Sequence, residues 1–150
     1  MVKIISGGQT GADRGALDAA RDLGVAHGGF CPRGRRAEDG VIPAHYDLVE
    51  TRAAQYAART AANVRAADAT LLITRGKMTA GSALTARLAE DSGCPFLHVD
   101  LARTAAPADE IKTWLAAHPE IATLNVAGPR ESGCPGIAAA VRALITAVLR

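Results

Sequence analysis

Four short, near-continuous apolar runs constrain this chain more than anything else in it: VKIIS (2–6), ATLLIT (69–74), CPFLHVD (94–100) and IATLNVAG (121–128). Each precedes a stretch with helical spacing or helix-forming composition: ADRGALDAARDLG (12–24), residues 83–92, APADEIKTWLAAHP (106–119) and PGIAAAVRALITAVL (135–149). VAHGGF (25–30) reads as a further short strand, and TRAAQYAARTAANVRAA (51–67) as a further helix. Strands that offer water neither face, alternating with helices, call for a parallel sheet covered on both sides. The expected fold is therefore α/β, open and three-layered, with a mainly parallel sheet of about five or more strands. No repeat, linker or low-complexity tract interrupts residues 1–150, and that length suits a single ligand-binding domain.

Only 3% of residues are aromatic while 49% are apolar, so Ala, Leu, Val and Ile must build the core with closely packed backbones. The formal net charge is +2, and no basic platform interleaved with aromatics is present, which argues against a nucleic-acid partner. Cys31, Cys94 and Cys134 are odd in number and widely spaced, so neither a disulfide framework nor a zinc pattern is written. Nothing resembles a signal peptide or membrane span; the expected setting is a reducing cytoplasm, with no membrane partner.

An open α/β sheet places its ligand crevice beyond the carboxyl ends of its strands. The loop SGGQTGAD (6–13) carries Gly7, Gly8 and Gly11, which permit a tight turn and a close backbone approach at a helix start. Free N–H groups there suit a phosphate or other oxyanion. Thr10 and Asp13 fit either ligand binding or a capping box, whereas the Gln9 amide suits donation to a ligand while accepting from the turn. In RGKMTAGSALT (75–85), Gly81 and Ser82 stand where the next helix starts. In NVAGPRESGCPG (125–136), Asn125, Gly128, Arg130, Glu131 and Ser132 follow the last strand, and Arg130 suits a phosphate or a carboxylate partner equally.

The irregular segment 31–50 adds Arg33 and Arg36 as candidate anion contacts, with Cys31 read as a buried thiol ahead of a ligand contact. Tyr56, Thr60 and Asn63 share one face of the 51–67 helix, facing either water or the crevice. The four histidines are dispersed, and no carboxylate pair forms an evident acid and base. No catalytic or metal-ligating residue is assigned; the chain reads as a binder of an anionic small molecule more than an enzyme.

SGGQTGADRGALDAA, HGGFCPRGRRAEDGVIPAHYDL, YAARTAANVRAADATLLI and NVAGPRESG resemble the molybdenum cofactor carrier family, and the likeness spans nearly the whole chain. That family sits in a Rossmann-like group with the cytokinin-activating phosphoribohydrolases. The resemblance implies a Rossmann-like fold, a dimeric or tetrameric homo-oligomer, and binding that carries or protects molybdopterin, the phosphate-bearing molybdenum cofactor; with no evident acid–base set, the expected role is non-catalytic. It also implies transient contact with cofactor-synthesising or molybdoenzyme proteins. Molybdate, phosphate or a nucleotide are alternative ligands, the last implying an ADP-ribose-type binder or nucleoside-monophosphate phosphoribohydrolase. TAGSALT (79–85) departs from the TGGTALT frequent in the family: Ser82 keeps a hydroxyl, while Ala80 removes turn freedom. If Gly81 and Ser82 take the Gly-Thr positions of the hydrolase motif, Thr85 stands where those enzymes carry the catalytic glutamate.

Overall fold

The computed structural model describes residues 2–150. Its elements run β1 (Lys3–Ile5), α1 (Ala12–Asp22), β2 (His27–Gly28), β3 (Phe30–Cys31), β4 (Arg36–Ala37), β5 (Gly40–Val41), β6 (Val49–Glu50) and α2 (Tyr56–Ala66). They continue with β7 (Ala69–Thr74), α3 (Ala80–Ser92), β8 (Phe96–Asp100), α4 (Pro107–Ala117), β9 (Thr123–Ala127), a 3-10 turn at Glu131–Gly133, and α5 (Ile137–Leu149). The expected α/β class holds: five strands form one parallel sheet in the order β2-β1-β9-β7-β8. The last strand in sequence lies at its centre, with Ile4 opposite Leu124 on one side and Ala69 opposite Leu124 on the other.

Helices α1, α4 and α5 pack together on one face, and α2 packs with α3 on the other. The first interface is the main core. Leu71, Ile73, Leu124 and Val126 point into it from the sheet, meeting Ala12, Ala16, Ala19 and Ala20 of α1 and Ile137, Val141 and Ile145 of α5. Small residues bring α1 and α5 close: a Cβ on Gly15 would strike the carbonyl oxygen of Ala138. This is how so few aromatics suffice. Because strand residues alternate between faces, Thr70, Thr74 and Asn125 point the other way, and all three are buried. That face is lined with polar groups, and it is the face that carries the cavity described below.

Several boundaries move for local reasons. The expected strand 25–30 breaks at Gly29; residues 27–28 pair with β1, while 30–31 pair with β6. Helix α2 begins at Tyr56 rather than 51, because residues 51–53 are tied to the preceding segment. Thr51 N–H donates to the Cys31 carbonyl, and Ala53 accepts from Arg33 N–H. Helix α3 begins earlier than expected, at Ala80, since Thr79 caps it by accepting from Ser82 N–H at 3.2 Å.

Segment 31–50 is ordered around its own small core of Cys31, Ala37, Ile42, Tyr46 and Leu48, seated on Leu17 of α1. Arg35 organises it: its guanidinium donates to the carbonyls of Ile42, Leu48, Pro43 and Tyr46. Arg14 then fastens the segment to α1 through a two-pronged bond to Asp39 at 2.5 and 2.8 Å. No helix among the described residues is long and apolar enough to cross a membrane.

Candidate functional site

The loops after β1, β7 and β9 converge, as the sheet's topology requires of adjacent strands whose connections diverge. Between them lies a cavity of about 310 Å³, at the lower end of the ~300–1,000 Å³ usual for small-molecule sites. Gly7, Gln9 and Asp13 line it from the first loop, Thr79–Ser82 with Thr85 from the second, and Asn125 with Gly128–Arg130 from the third. Helix α2 closes the remaining side with Tyr56, Arg59, Thr60 and Asn63. The polar stripe of α2 therefore faces the cavity, a choice that periodicity had left open.

The glycine turn after β1 is full rather than open. Gly11, at φ 84°, is the N-cap of α1, and a Cβ there would strike Glu131 N and the Pro129 carbonyl. That close approach lets Pro129 accept from Ala12 N–H at 3.1 Å, so the loop after β9 sits on the helix start. The capping box read from Thr10 and Asp13 does not form. Thr10 Oγ1 instead accepts from Glu131 N–H and donates to Glu38. Asp13 Oδ2 accepts from Gln9 N–H at 3.3 Å and from Arg59 Nη1 at 2.8 Å. Burial pushes the Asp13 carboxyl up from its ordinary range, against the opposing pull of the Arg59 charge.

Three other candidates are engaged with protein partners beside the cavity. Glu131 caps α5, its two carboxylate oxygens accepting from Gly136 N–H at 2.7 Å and Ala138 N–H at 3.0 Å. Ser132 donates to Glu38 through both its N–H, at 3.1 Å, and its hydroxyl, at 2.5 Å. These bonds, with that from Thr10, hold the Glu38 carboxyl below its ordinary range. Gly8 packs beneath Ile42 and Leu48. Arg33 and Arg36 are exposed and absent from the cavity wall. Cys31 is fully buried in the small core, where burial raises its thiol pKa.

The second loop offers what the first does not. The N–H groups of Ala80 and Gly81 have no acceptor within α3, both residues line the cavity, and nothing lies within 4 Å of where a Gly81 Cβ would stand. Ser82 is buried, its hydroxyl accepting from Thr79 Oγ1 at 3.1 Å. Thr85 also lines the cavity, and its hydroxyl donates to the Gly81 carbonyl at 3.1 Å. Asn125 forms part of the wall with Nδ2 toward Thr70 Oγ1 at 3.4 Å. At the rim the guanidinium of Arg130 stands 5.4 Å from the centre of the Tyr56 ring, and that of Arg59 stands 5.7 Å from it. Arg130 is 4.0 Å from Glu38 and about half exposed.

Arg59 is the main residue that the sequence reading left outside its site. Its signal was its place beside Thr60 on a polar stripe, but only the fold shows its reach across to Asp13. Asn63 is on the wall for a structural reason as well, exchanging two hydrogen bonds with the Phe30 backbone at 2.8 and 2.9 Å. Among the described residues no three His, Cys, Asp or Glu side chains gather to hold a metal ion. The site's chemistry is thus that of backbone and amide donors, hydroxyls, two arginines with the Asp13 carboxylate, and one aromatic ring.

Comparison with known proteins places this arrangement in context. The model of the circularly permutated YpsA SLOG family matches residues 4–149. The crystal structure at 1.45 Å of a protein from Syntrophus aciditrophicus SB, named "Putative molybdenum carrier protein", superposes with a TM-score of 0.96. The two sequences are 44% identical, over 100% of this chain and 96% of that one. No match is found among curated proteins.

Proposed function

The chain belongs to the circularly permutated YpsA SLOG family, and from that premise we propose that it is a carrier which holds the molybdenum cofactor without transforming it. The cofactor is cargo here: a pterin with a terminal phosphate and an oxomolybdenum held through a dithiolene. The observation that carries the reading is the pairing, in one cavity, of an anion-suited helix start with an aromatic rim. Ala80 and Gly81 offer N–H groups at the positive end of α3, while Tyr56 lies under Arg130 at the mouth. A phosphate fits the first and a flat heterocycle the second.

The anion is assigned to α3 rather than to the glycine turn of α1, whose first N–H and nearby carboxylate already have protein partners. Thr85 brings a hydroxyl to the cavity wall, and if Gly81 and Ser82 take the Gly-Thr positions of the hydrolase motif, it stands where those enzymes carry a catalytic glutamate. It can neither take up a proton as a carboxylate does nor stabilise a ribosyl cation by charge, which favours holding over hydrolysis. The 44% identical neighbour, named as a molybdenum carrier, points the same way. A homo-oligomer, dimeric or tetrameric, and transient docking to proteins that make or use the cofactor belong to the same reading.

The test is equilibrium binding of the intact molybdenum cofactor against inorganic phosphate and a nucleoside monophosphate, with mass spectrometry of whatever co-purifies from the host. Cofactor binding at least tenfold tighter than either competitor is expected. Equal, weak binding of all three overturns the reading.

A further inference from the structure

Two buried donors on the cavity wall are left without a protein acceptor among the described residues: Gln9 Nε2 and Arg59 Nε. Gln9 is only 6% exposed. Its amide cannot be turned to relieve this, because Oε1 already accepts from Thr10 N–H at 3.1 Å and from Glu38 N–H at 2.9 Å. Reversing the amide would set NH₂ against two N–H donors. Gln9 is therefore locked, by the backbone of a residue 29 positions away, with its two protons unspent. Buried donors of this kind are rare in native proteins because each forfeits its desolvation cost. The open space that both Gln9 and Arg59 border is the cavity.

The neighbouring acceptor gives no relief. Asp13 Oδ2 is committed to Arg59 Nη1 and to the Gln9 backbone N–H, and no bond joins the carboxylate to Gln9 Nε2, which leaves the amide of Gln9 to seek an oxygen elsewhere. The wall formed by Gln9, Arg59 and the first N–H groups of α3 presents donors to whatever enters.

Resting on the carrier reading, we infer that Gln9 is a specificity-determining residue which donates to an oxygen of the ligand's innermost group, an oxyanion or carbonyl that carries no proton there. A donor-only group such as an ammonium or ring N–H, directed at the same point, would set donor against donor and be rejected. The segment 36–41 acts through Gln9: Glu38 fixes the amide's direction with its own N–H and secures the neighbouring Thr10 with its carboxylate.

Sulfate is the probe: it has four acceptor oxygens, no proton and the same charge across the neutral range. Titration of the full chain with sulfate is followed by the side-chain ¹⁵N–H₂ resonance of Gln9, identified by its loss in Gln9→Glu. Saturating sulfate is expected to shift that resonance and slow its exchange with water. Gln9→Glu retains Oε1 for Thr10 and Glu38 but replaces the donor; its sulfate affinity is expected to fall by about 10- to 100-fold, the range of a hydrogen bond to a charged group. A thermal melt establishes that the variant is folded, and the resonance shift in the unsubstituted chain stands independently of it. An unmoved Gln9 resonance at saturation, or no sulfate binding at all, overturns the inference. Tight cofactor binding retained in a folded Gln9→Glu protein overturns it while leaving the carrier reading intact, whereas absent cofactor binding in the unsubstituted chain removes that reading instead.

Discussion

Arg59 Nη1 donates to Asp13 Oδ2 at 2.8 Å, joining α2 to the first turn of α1 across one wall of the cavity. Asp13 is 3% exposed, so removing its partner leaves a carboxylate with little water to replace the guanidinium. Arg59→Ala is expected to lower unfolding stability by about 3–5 kcal/mol, read by urea or thermal denaturation. Asp13→Asn in the same background should restore part of the loss, because it removes the stranded charge. A loss below about 1 kcal/mol, typical of exposed pairs, would show that solvent reaches the pair.

Arg130 tests the rim. Its guanidinium stands 5.4 Å from the centre of the Tyr56 ring and meets Glu38 only at 4.0 Å, so little of its charge is spent within the protein. Arg130→Ala is expected to weaken cofactor binding by about 1.5–3 kcal/mol with little change in melting temperature. Unaltered affinity in a binding titration would reduce Arg130 to a surface partner of Glu38.

Acid should loosen segment 36–41 before the sheet. Bonds from Ser132 and then Thr10 lower the Glu38 pKa, and the Arg14 bond lowers that of Asp39. Their contributions are complete above the unfolded carboxylate values, about 3.9 for Asp and 4.3 for Glu. They are lost as pH falls through the lower folded-state values. Hydrogen-exchange protection of residues 36–41, taken relative to the intrinsic rate at each pH, should therefore fall below about pH 4, while β7 stays protected. Glu38→Gln with Asp39→Asn should flatten that dependence; an unchanged profile would refute the assignment.

Tyr46 gives the opposite sign. Burial first, and its 2.7 Å bond to Asp18 second, push its hydroxyl up to about 12. The folded state keeps this proton longer than the unfolded one, so the contribution is complete below about pH 10 and is lost as pH rises through about 12. Phenolate absorbance should show a step near the latter value that disappears in Tyr46→Phe.

Glu131 is expected to matter to the helix rather than to the ligand. Its carboxylate serves two N–H groups at the start of α5, so Glu131→Ala should cost about 0.5–2 kcal/mol of stability. Cofactor affinity, measured on the same protein, should hardly move.

The sequence carried the layers and the meeting of loops well, because both follow from local pattern. Apolar runs before helical spacing demand a covered parallel sheet, and loops after such strands gather at one edge. Tyr56, Thr60 and Asn63 were visible as a stripe, whereas Asn125, read as following the last strand, lies within β9. Partners distant in sequence were invisible. Thr10 looked like half of a capping box until Glu38 and the 129–131 loop supplied its bonds from elsewhere. Arg33, Arg35 and Arg36 drew attention alike as charge, but Arg35 organises the segment, through four carbonyls that no local spacing announces. Strand order was equally hidden, since nothing within IATLNVAG says that it belongs between the first strand and the seventh.

That central place of β9 bears on synthesis. Until residues 123–127 are made, β1 with β2 and β7 with β8 are two separate pairs, each with an inner edge that only β9 joins. A nascent chain therefore carries two unpaired strand edges, a hazard for association with other chains. The cavity is assembled at the same moment, since Asn125, Gly128 and Arg130 form one of its walls. On the ribosome, the completion of the cavity and the closing of the sheet become a single late event.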